Sequence, residues 1–531
     1  MSTLTAQRTP ITALVLVVAL TILGSALVLS SLVSPEGILV YWLAVGGAVL
    51  FGFYLVKGEL LGAVLAWFVT LVVLHEEFWR VQVPLFFSLT IPRIGLVVLV
   101  LLLIGMVAMG RIRLRHVWPV SGAIVALAAY FFVSAVASGF ESRSVVSVHY
   151  RLIGGYIFPF AVFGLILHAF HKEAHFRHLA VFFALLSVYL TFTGWCERFE
   201  IGALIWPRFI NDPTVGIHWG RVRGPFVMSA AMGLALVYCY FNNLMLARHA
   251  GRFTWALYTL NALMLPVIFW TKTRSVWLSF VLCSLIWAAY SRRRTTRVVS
   301  VSLLLALAVF IAVINMDNFM TSEREKGGVT DVEPMLLRIG LAHMTWEIVQ
   351  EHPLVGVGFG HFRDHAPDFA RDPSSPFYAF GSTALEHNNL LSIVAETGIL
   401  GLVLYVLMIV LLLRYSVRLF RKLPTTAAGF IGRDLLVLYW ILTAAYFIDG
   451  TFRETSDNPF ANSLFFGLSA VPVALDVLLS PSPIRGRPGF PAPLGRRPMG
   501  VQPARPDSSV WPPLPGRGRA GNRPAATGGG P

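Results

Sequence analysis

Basic side chains stand where apolar runs begin, in positions that suit the binding of an anion. The stretch FWTKTRSVW joins two apolar runs with almost no loop, so Lys272 and Arg274 fall at or near the start of the second helix. A helix N-terminus favours negative charge, and the planar fork of arginine binds phosphate in a way that lysine cannot. Arg221 and Arg223 lie in GRVRGPF, just before another apolar run. We predict a phosphate-type anion site; the alternative is that the arginines only reach lipid headgroups.

A histidine that could transfer a proton lies in the stretch LEHNNLLSIVAETGILGLVLY. The reference pKa of His387 suits proton transfer near neutral pH, and Glu386 beside it could orient the ring. Asn388 can cap the helix that follows, and the alternative for His387 is a capping and packing role alone. Glu396 lies on the opposite side of a straight helix from His387, so we interpret it as a hydrogen-bonding residue between helices.

Metal and cofactor signatures are weak in this sequence. His352, His361 and His365, with Asp364 and Asp368 between and after them, fit no strong metal-binding pattern. The three cysteines form no spaced framework. No phosphate-binding loop, dinucleotide fingerprint or nucleophile elbow is found, which argues against ATP-driven transport. We therefore predict no metal site and no cofactor.

The elements that hold these residues are apolar enough to span a membrane. The chain has 531 residues, of which 56% are apolar and 13% charged, and its mean hydropathy is +0.69. Ordinary soluble domains carry roughly 25% charged residues. The net charge of +15 comes largely from arginines scattered between apolar runs, which argues against nucleic-acid binding.

We predict an all-α fold, a polytopic bundle of about 12–14 transmembrane helices, because a backbone in lipid must satisfy its own hydrogen bonds. The first apolar run lacks a convincing cleavage site, so it is interpreted as a retained span rather than a signal peptide. The runs of spanning length are 11–33, 38–56, 59–75, 94–109, 117–138, 152–170, 178–195, 225–247, 253–271, 275–290, 298–315, 388–413, 435–449 and 462–480.

The loops predict the orientation and the domains. Links 110–116, 291–297 and 414–422 are basic and lack acidic residues, which is typical of cytoplasmic loops, and the alternation of spans puts both termini on their side. Within a transmembrane domain of residues 1–480, the segment 316–387 is a large periplasmic loop. Its stretch DVEPMLLRIGLAHMTWEIVQEHP has helical spacing that ends at EHP, and a glycine-rich turn follows. The tail, 481–531, is rich in Pro, Gly and Arg and is predicted to be disordered and cytoplasmic, near anionic lipid headgroups.

Four motifs, in order across roughly residues 200–410, resemble the superfamily of O-antigen ligases and O-antigen polymerases. RVRGPF is similar to its R-x-x-G-x-F loop, and TKTRSVWLSF to its T-x-S-R-x-x-W-L element, with Thr273 in place of the usual serine. EHPLVGVGFGHF resembles H-P-L-x-G-x-G-x-x-x-F, and HNNLLSIVAETGILGLVLY resembles H-N-x-x-L…E-x-G-x-x-G-L. Arg338 and Trp346 fit the helix that precedes E-H-P. The N-P-N that often follows G-x-F in this family is absent.

The resemblance implies a multi-pass glycosyltransferase of the bacterial inner membrane that acts in surface polysaccharide or lipopolysaccharide biosynthesis. It would move a glycan from undecaprenyl pyrophosphate to a glycolipid or glycan acceptor at the periplasmic face, with no nucleotide sugar and no metal. A residue of the predicted site would bind the pyrophosphate, stabilise charge as the glycosidic bond breaks, or activate the acceptor hydroxyl. The catalytic candidates are His387, Arg274 and Arg223, and the substrate-binding candidates are Lys272, Arg221, Arg338, Glu386 and Asn388.

Other functions stay open at this point. A ligase and a repeat-unit polymerase share these motifs and cannot be separated by them. A transporter or flippase without chemistry would place its ionisable residues near the bilayer midplane, often in matched halves, whereas here they gather at one face. A cell-wall polymerase of the shape-and-division type is a further alternative, with its acidic residue in a different loop context.

Overall fold

The computed structural model describes residues 59–82, 88–142, 144, 146–290, 333–369, 388–424 and 430–480, with a few isolated positions before residue 59. In this part of the chain nearly all regular structure is helical, and the strands are limited to one short antiparallel hairpin. The prediction of an all-α fold is confirmed.

Thirteen α-helices follow one another in the described ranges. A π-helical turn, Tyr150–Ile157, leads directly into the fourth of them, and the hairpin pairs β1 (Arg80–Gln82) with β2 (Ser88–Thr90). The helices are α1 Leu60–Val73, α2 Ile91–Ala108, α3 Val120–Ser138, α4 Phe158–Ala169, α5 Glu173–Arg198, α6 Ser229–Ala247, α7 Thr254–Trp270, α8 Arg274–Tyr290, α9 Glu333–Glu351, α10 Phe362–Phe369, α11 Asn389–Lys422, α12 Arg433–Phe452 and α13 Pro459–Leu479.

Nine helical segments of the described residues are long and apolar enough to cross a membrane, and α1 and α8 are shorter apolar helices. Each coincides with one of the predicted spans, which confirms a polytopic membrane protein. The predicted spans 11–33 and 298–315, and nearly all of 38–56, lie outside the described residues. The helices α6, α12 and α13 bury most of their side chains, whereas α7 is mostly exposed and therefore suited to contact lipid.

The helix ends fall into two groups. At one end, the link after α2 contacts the link after α4, where Arg115 Nη1 donates to the carbonyls of Leu167 and Phe170 at 3.0 and 2.8 Å. At this end also, Arg248 pairs with Asp434 at 2.6 Å. The other group, which we call the loop-rich end, consists of the described residues 74–82, 88–90, 139–142, 144, 146–149, 199–228, 271–273, 352–361 and 453–458. This grouping agrees with the predicted alternation of loops, while the side of the membrane that each group faces stays a prediction.

The predicted large loop contains helical structure in its described part. The helix α9 ends at Glu351, directly before His352-Pro353, as the sequence predicts. Turns follow over residues 352–361, and α10 begins immediately after them. The remaining parts of the loop, 316–332 and 370–387, lie outside the described residues.

The helix α11 is broken at Gly398, whose φ of 65° and ψ of −170° are not helical. The break frees backbone groups on both sides, and the turn after α9 pairs with them. The amides of Val357 and Gly358 donate to the carbonyls of Ala395 and Glu396 at 3.0 and 2.8 Å. In return, the amide of Ile399 donates to the carbonyl of Pro353 at 2.9 Å, and that of Leu400 to Leu354 at 3.3 Å. A broken helix is tolerated in a membrane protein only where neighbouring groups satisfy its backbone in this way.

Close approach of the two backbones requires glycine on both sides. A Cβ on Gly356 would lie 2.5 Å from the carbonyl oxygen of Ala395, and one on Gly398 would lie 2.2 Å from that of Leu354. Both residues also have positive φ. The glycines of G-V-G and E-T-G therefore belong to one contact, which explains why these two motifs occur together.

We predict that Gly356→Ala destabilises the protein far more than Gly110→Ala. The two glycines have similar φ angles, 69° and 67°, but a Cβ on Gly110 meets nothing within 4 Å. The control should cost about 1–2 kcal/mol for the left-handed backbone alone. The Gly356 variant adds a clash with backbone that cannot move without breaking the pairing. Thermal unfolding of the detergent-solubilised protein measures the difference, and equal shifts in Tm for the two variants would contradict this account.

Candidate functional site

The last turn of α12 together with the residue that follows it, 449–453, connects several predicted site residues; we call this segment the α12 end. Arg453 lies one turn after Asp449, and its Nε donates to Asp449 Oδ2 at 2.6 Å while Nη2 contacts the same oxygen. Ser275 Oγ donates to Asp449 Oδ1 at 3.4 Å. Because Ser275 follows Arg274, the first residue of α8, the α12 end lies beside the predicted anion site.

Asn388 caps α11, as predicted, because its Oδ1 accepts from the amides of Leu390 and Leu391 at 3.0 and 3.1 Å. Its Nδ2 donates to the carbonyl of Thr451 at 3.3 Å. The start of α11 is thereby held against the α12 end.

Arg338, on α9, also contacts the α12 end. Its guanidinium carbon lies 5.1 Å from the ring centre of Phe452, which is a cation–π contact. Three separate motifs thus contact one helix end, through Arg338, Asn388 and Ser275, which follows the predicted Arg274.

The loop that carries RVRGPF packs on the junction between α7 and α8. Arg221 Nη1 donates to the carbonyl of Lys272 at 3.3 Å, and the amide of Val222 donates to the carbonyl of Trp270 at 3.2 Å. Thr273 Oγ1 bonds Ser229 Oγ at 3.0 Å. The predicted substrate-binding pair, Lys272 and Arg221, is therefore brought together.

Arg223 has a different environment from the one the sequence suggests. Its side chain is 1% exposed, and its guanidinium donates to the carbonyls of Val215, Ile210 and Asp212 at 2.6, 3.2 and 3.2 Å. Burial lowers its pKa, although nearby Glu197 opposes this, and an arginine stays charged in any case. The guanidinium organises its own loop instead of facing the α12 end. We therefore assign Arg223 a positioning role rather than the direct anion contact that the sequence predicts.

Glu197, at the end of α5, holds this loop by accepting hydrogen bonds from its backbone. Its carboxylate accepts from the amides of Arg223 and Gly224, at 3.2 and 2.7 Å to Oε2. The sequence shows Glu197 only as one of several charges in the loop, and nothing in its spacing identifies these backbone partners.

Two predicted residues, Glu386 and His387, lie outside the described residues, and their roles stay predictions. Among the histidines considered for a metal, His361 bonds Asp364 at 2.8 Å through Nδ1 and the carbonyl of Gly139 at 3.1 Å through Nε2. These contacts link α10 to the end of α3. Within the described ranges, no group of three His, Cys, Asp or Glu side chains is arranged to hold a metal ion.

Arg151 is a central residue that the sequence analysis missed. It is 2% exposed and forms a two-pronged pair with Glu396, at 2.6 Å to Oε1 and 3.1 Å to Oε2. Its guanidinium also donates to Ser392 and Ser456, each at 3.0 Å. The interpretation of Glu396 as a hydrogen-bonding residue between helices is confirmed, with Arg151 as its partner. The one available signal was an arginine directly before an apolar run.

A chain of polar side chains continues from the start of α11 into the bundle. Thr455 Oγ1 donates to Asn389 Oδ1 at 2.8 Å and bonds Tyr446 at 3.0 Å. The hydroxyl of Tyr446 donates to Asn462 at 2.7 Å, and Asn462 donates to the carbonyl of Gly155 at 2.6 Å. Because every link is buried, the chain holds the start of α11 rigidly against α12 and α13.

Comparison with known families gives a match to part of the chain. Residues 259–406 match the family model described as O-antigen ligase. The match covers Arg274, Arg338 and Asn388 and ends inside α11, whereas Arg151, Arg221 and Arg223 precede it. No curated protein matches the chain.

The family match confirms the resemblance to the O-antigen ligase superfamily. The family match and the apolar helices together indicate a multi-pass membrane protein. Glycan transfer of the ligase or polymerase kind is the general activity that this family supports.

We predict that Arg151→Met destabilises the protein more than Glu396→Gln, by about 3–5 kcal/mol for the arginine variant. Removing Arg151 leaves Glu396 without its cation and brings Glu454 and Asp457, at 3.9 and 3.6 Å from the guanidinium, into a cluster of like charges. Removing only the charge of Glu396 leaves those two acids to balance Arg151.

Arg248→Met is the matched control, since it breaks a partly exposed pair with Asp434 and should cost no more than about 1 kcal/mol. Thermal unfolding and the yield of folded protein measure all three variants. A Glu396 variant that is less stable than the Arg151 variant would contradict the proposed balance of charges.

Proposed function

We propose that the protein transfers a glycan from undecaprenyl pyrophosphate to a glycolipid or glycan acceptor at the periplasmic face of a bacterial inner membrane. The observation that carries this proposal is the meeting of three family motifs at the α12 end, through Ser275, Asn388 and Arg338. A repeat-unit polymerase would use the same donor and the same chemistry, and would differ in its acceptor.

The positive charge near the α12 end suits a donor that carries a pyrophosphate. Lys272, Arg274, Arg338 and Arg453 are cationic, and Asp449 balances Arg453 through their ion pair. A lipid pyrophosphate is charged and lies at the membrane surface, where basic side chains at helix ends can reach it. Groups that bind it tightly also stabilise the charge that develops as the glycosidic bond breaks.

The start of α8 contributes a second attraction for the pyrophosphate. The helix dipole places partial positive charge at this end, where the amides of Val276 and Trp277 already donate to the carbonyl of Thr273 at 3.1 and 3.2 Å. Arg274 is the first residue of this helix, so its guanidinium and the helix dipole act on the same anion.

The reaction needs a base for the acceptor. The acceptor hydroxyl attacks the anomeric carbon, the bond between that carbon and the pyrophosphate oxygen breaks, and the hydroxyl proton must leave. We assign the proton to His387, which directly precedes Asn388 in the chain, with Glu386 as the residue that orients its ring. The undecaprenyl pyrophosphate then departs with both bonding electrons.

We predict that Arg274→Lys loses most glycan transfer, by about 10²–10³-fold, because lysine keeps the charge but not the two-pronged geometry. Arg208→Lys is the matched control, since Arg208 is exposed on the same loop-rich end and bonds only the carbonyl of Gly202 among its described contacts. Conversion of lipid-linked glycan to acceptor-linked glycan in membrane vesicles of the native strain measures transfer, with protein abundance checked in parallel. Near-normal transfer by the Arg274 variant would refute the two-pronged contact.

We predict that His387→Ala, His387→Gln and His387→Arg all abolish transfer while the protein is inserted at normal levels. Activity of the wild type should fall as the pH drops through the pKa of this histidine, because the protonated ring cannot accept the hydroxyl proton. The same vesicle assay over a pH series measures both effects. A His387→Arg variant that retains most of the rate would exclude the base role and leave only anion binding.

A further inference from the structure

A cavity of about 170 Å³ lies at the loop-rich end, and the basic residues of the proposed site do not line it. It is lined by the turn after α1, the start of the π-helical turn, the loop before α6 and the start of α13, and it is open to the surface. The loop wall is fixed, because the amide of Ile217 donates to the carbonyl of Val227 at 3.0 Å. The cavity is therefore a formed space between packed elements.

One wall of the cavity offers hydrogen-bond acceptors. Glu76 Oε1 accepts from Arg93 at 2.9 Å and from the hydroxyl of Tyr150 at 3.1 Å, which holds the carboxylate in place. The carboxylate lines the cavity. Asp457 adds a second, partly exposed carboxylate to the same wall.

His75 provides an independent sign that a ligand belongs here. It lines the cavity, and its buried Nδ1 has no hydrogen-bond partner in the part of the chain that the structure describes. Burial lowers its pKa, so the ring is neutral at neutral pH and offers one donor and one acceptor. A buried polar atom of this kind normally has a partner, which a bound molecule or water would supply.

The opposite wall is apolar. Phe226 and Phe460 pack with their ring centres 4.3 Å apart, and Ile217 and Pro459 extend this surface. A sugar ring has hydroxyls around its edge and a face of C–H groups, so it matches carboxylates on one side and apolar side chains on the other. Phosphate has no such C–H face, and the two carboxylates opposite already pair with arginines, Glu76 with Arg93 and Asp457 with Arg151.

The cavity is next to the proposed donor site. Met228 lines it, and Arg453 Nη1 at the α12 end donates to Met228 Sδ at 2.7 Å. A glycan whose pyrophosphate lies near the basic residues could thus extend into the cavity past this methionine.

We propose that this cavity is a subsite for one sugar ring of the lipid-linked glycan, recognised by its hydroxyls through Glu76 and His75. The proposal rests on the proposed function, because it takes the donor to be a pyrophosphate-linked glycan. The basic residues at the α12 end attract the pyrophosphate, whereas no Lys or Arg among the described residues lines the cavity, so the two regions together fix the direction in which the donor binds.

The test is binding of methyl glycosides of a hexose and an N-acetylhexosamine to the full-length protein, measured by saturation-transfer difference NMR. Glu76→Gln should weaken binding about tenfold, through loss of a charged acceptor. Ile217→Trp should abolish it by blocking the mouth of the cavity, because Ile217 lines the cavity and is 48% accessible. Leu204→Trp is the matched control, because Leu204 is exposed on the same loop, is 57% accessible and does not line the cavity.

Glycoside binding by the wild type and the Leu204 variant, lost in the Ile217 variant, supports the subsite. No glycoside binding to the wild type, or equal binding in all variants, overturns it. Inorganic pyrophosphate binding, followed by phosphorus NMR with Arg274→Lys as the sensitive variant, tests the proposed function separately. Glycoside binding that depends on the cavity, without pyrophosphate binding, would retain the sugar subsite and refute the donor assignment.

Discussion

The arrangement of the site depends on one constraint, which is that a broken helix in a membrane protein must have its free backbone groups satisfied. The break at Gly398 is possible because residues 353–358 pair with the carbonyls before it and the amides after it. The same pairing docks the turn after α9 onto α11. The helix α9 that carries Arg338 is thereby anchored to the helix that Asn388 caps.

The pair of Arg151 and Glu396 reinforces this contact, since Glu396 contributes both its carbonyl to the break and its carboxylate to the arginine. A buried ion pair contributes little net stability, because desolvation offsets the attraction, but losing one partner costs about 3–5 kcal/mol. Such a pair therefore selects one arrangement of helices over others. Arg151 also lies 3.6 Å from Asp457, which lines the cavity. The buried pair and the proposed sugar subsite are therefore connected through Asp457.

Several arginines at the loop-rich end already have partners within the protein. Arg223 is occupied by three carbonyls of its own loop, and Arg93 and Arg151 by carboxylates. The α12 end instead joins α8, α9 and α11, and brings together residues from separate motifs. Basic side chains gather near the α12 end, whereas the carboxylates of the cavity beyond Met228 are paired with Arg93 and Arg151 and offer hydrogen-bond acceptors. This pattern suits a ligand that is anionic at one point and rich in hydroxyls beyond it.

The sequence by itself determined the properties that depend on neighbours in the chain. Apolar runs specified the helices, Asn388 identified the cap of α11, and EHP identified the end of α9, because these signals act within a few residues. A carboxylate inside an apolar run showed that Glu396 needs a partner, but not that the partner is Arg151, 245 residues away. Only the tertiary structure decided that Arg223 bonds carbonyls and that α12 lies between the motifs, because such contacts depend on how distant helices pack. Spacing along the chain carries no information about that packing.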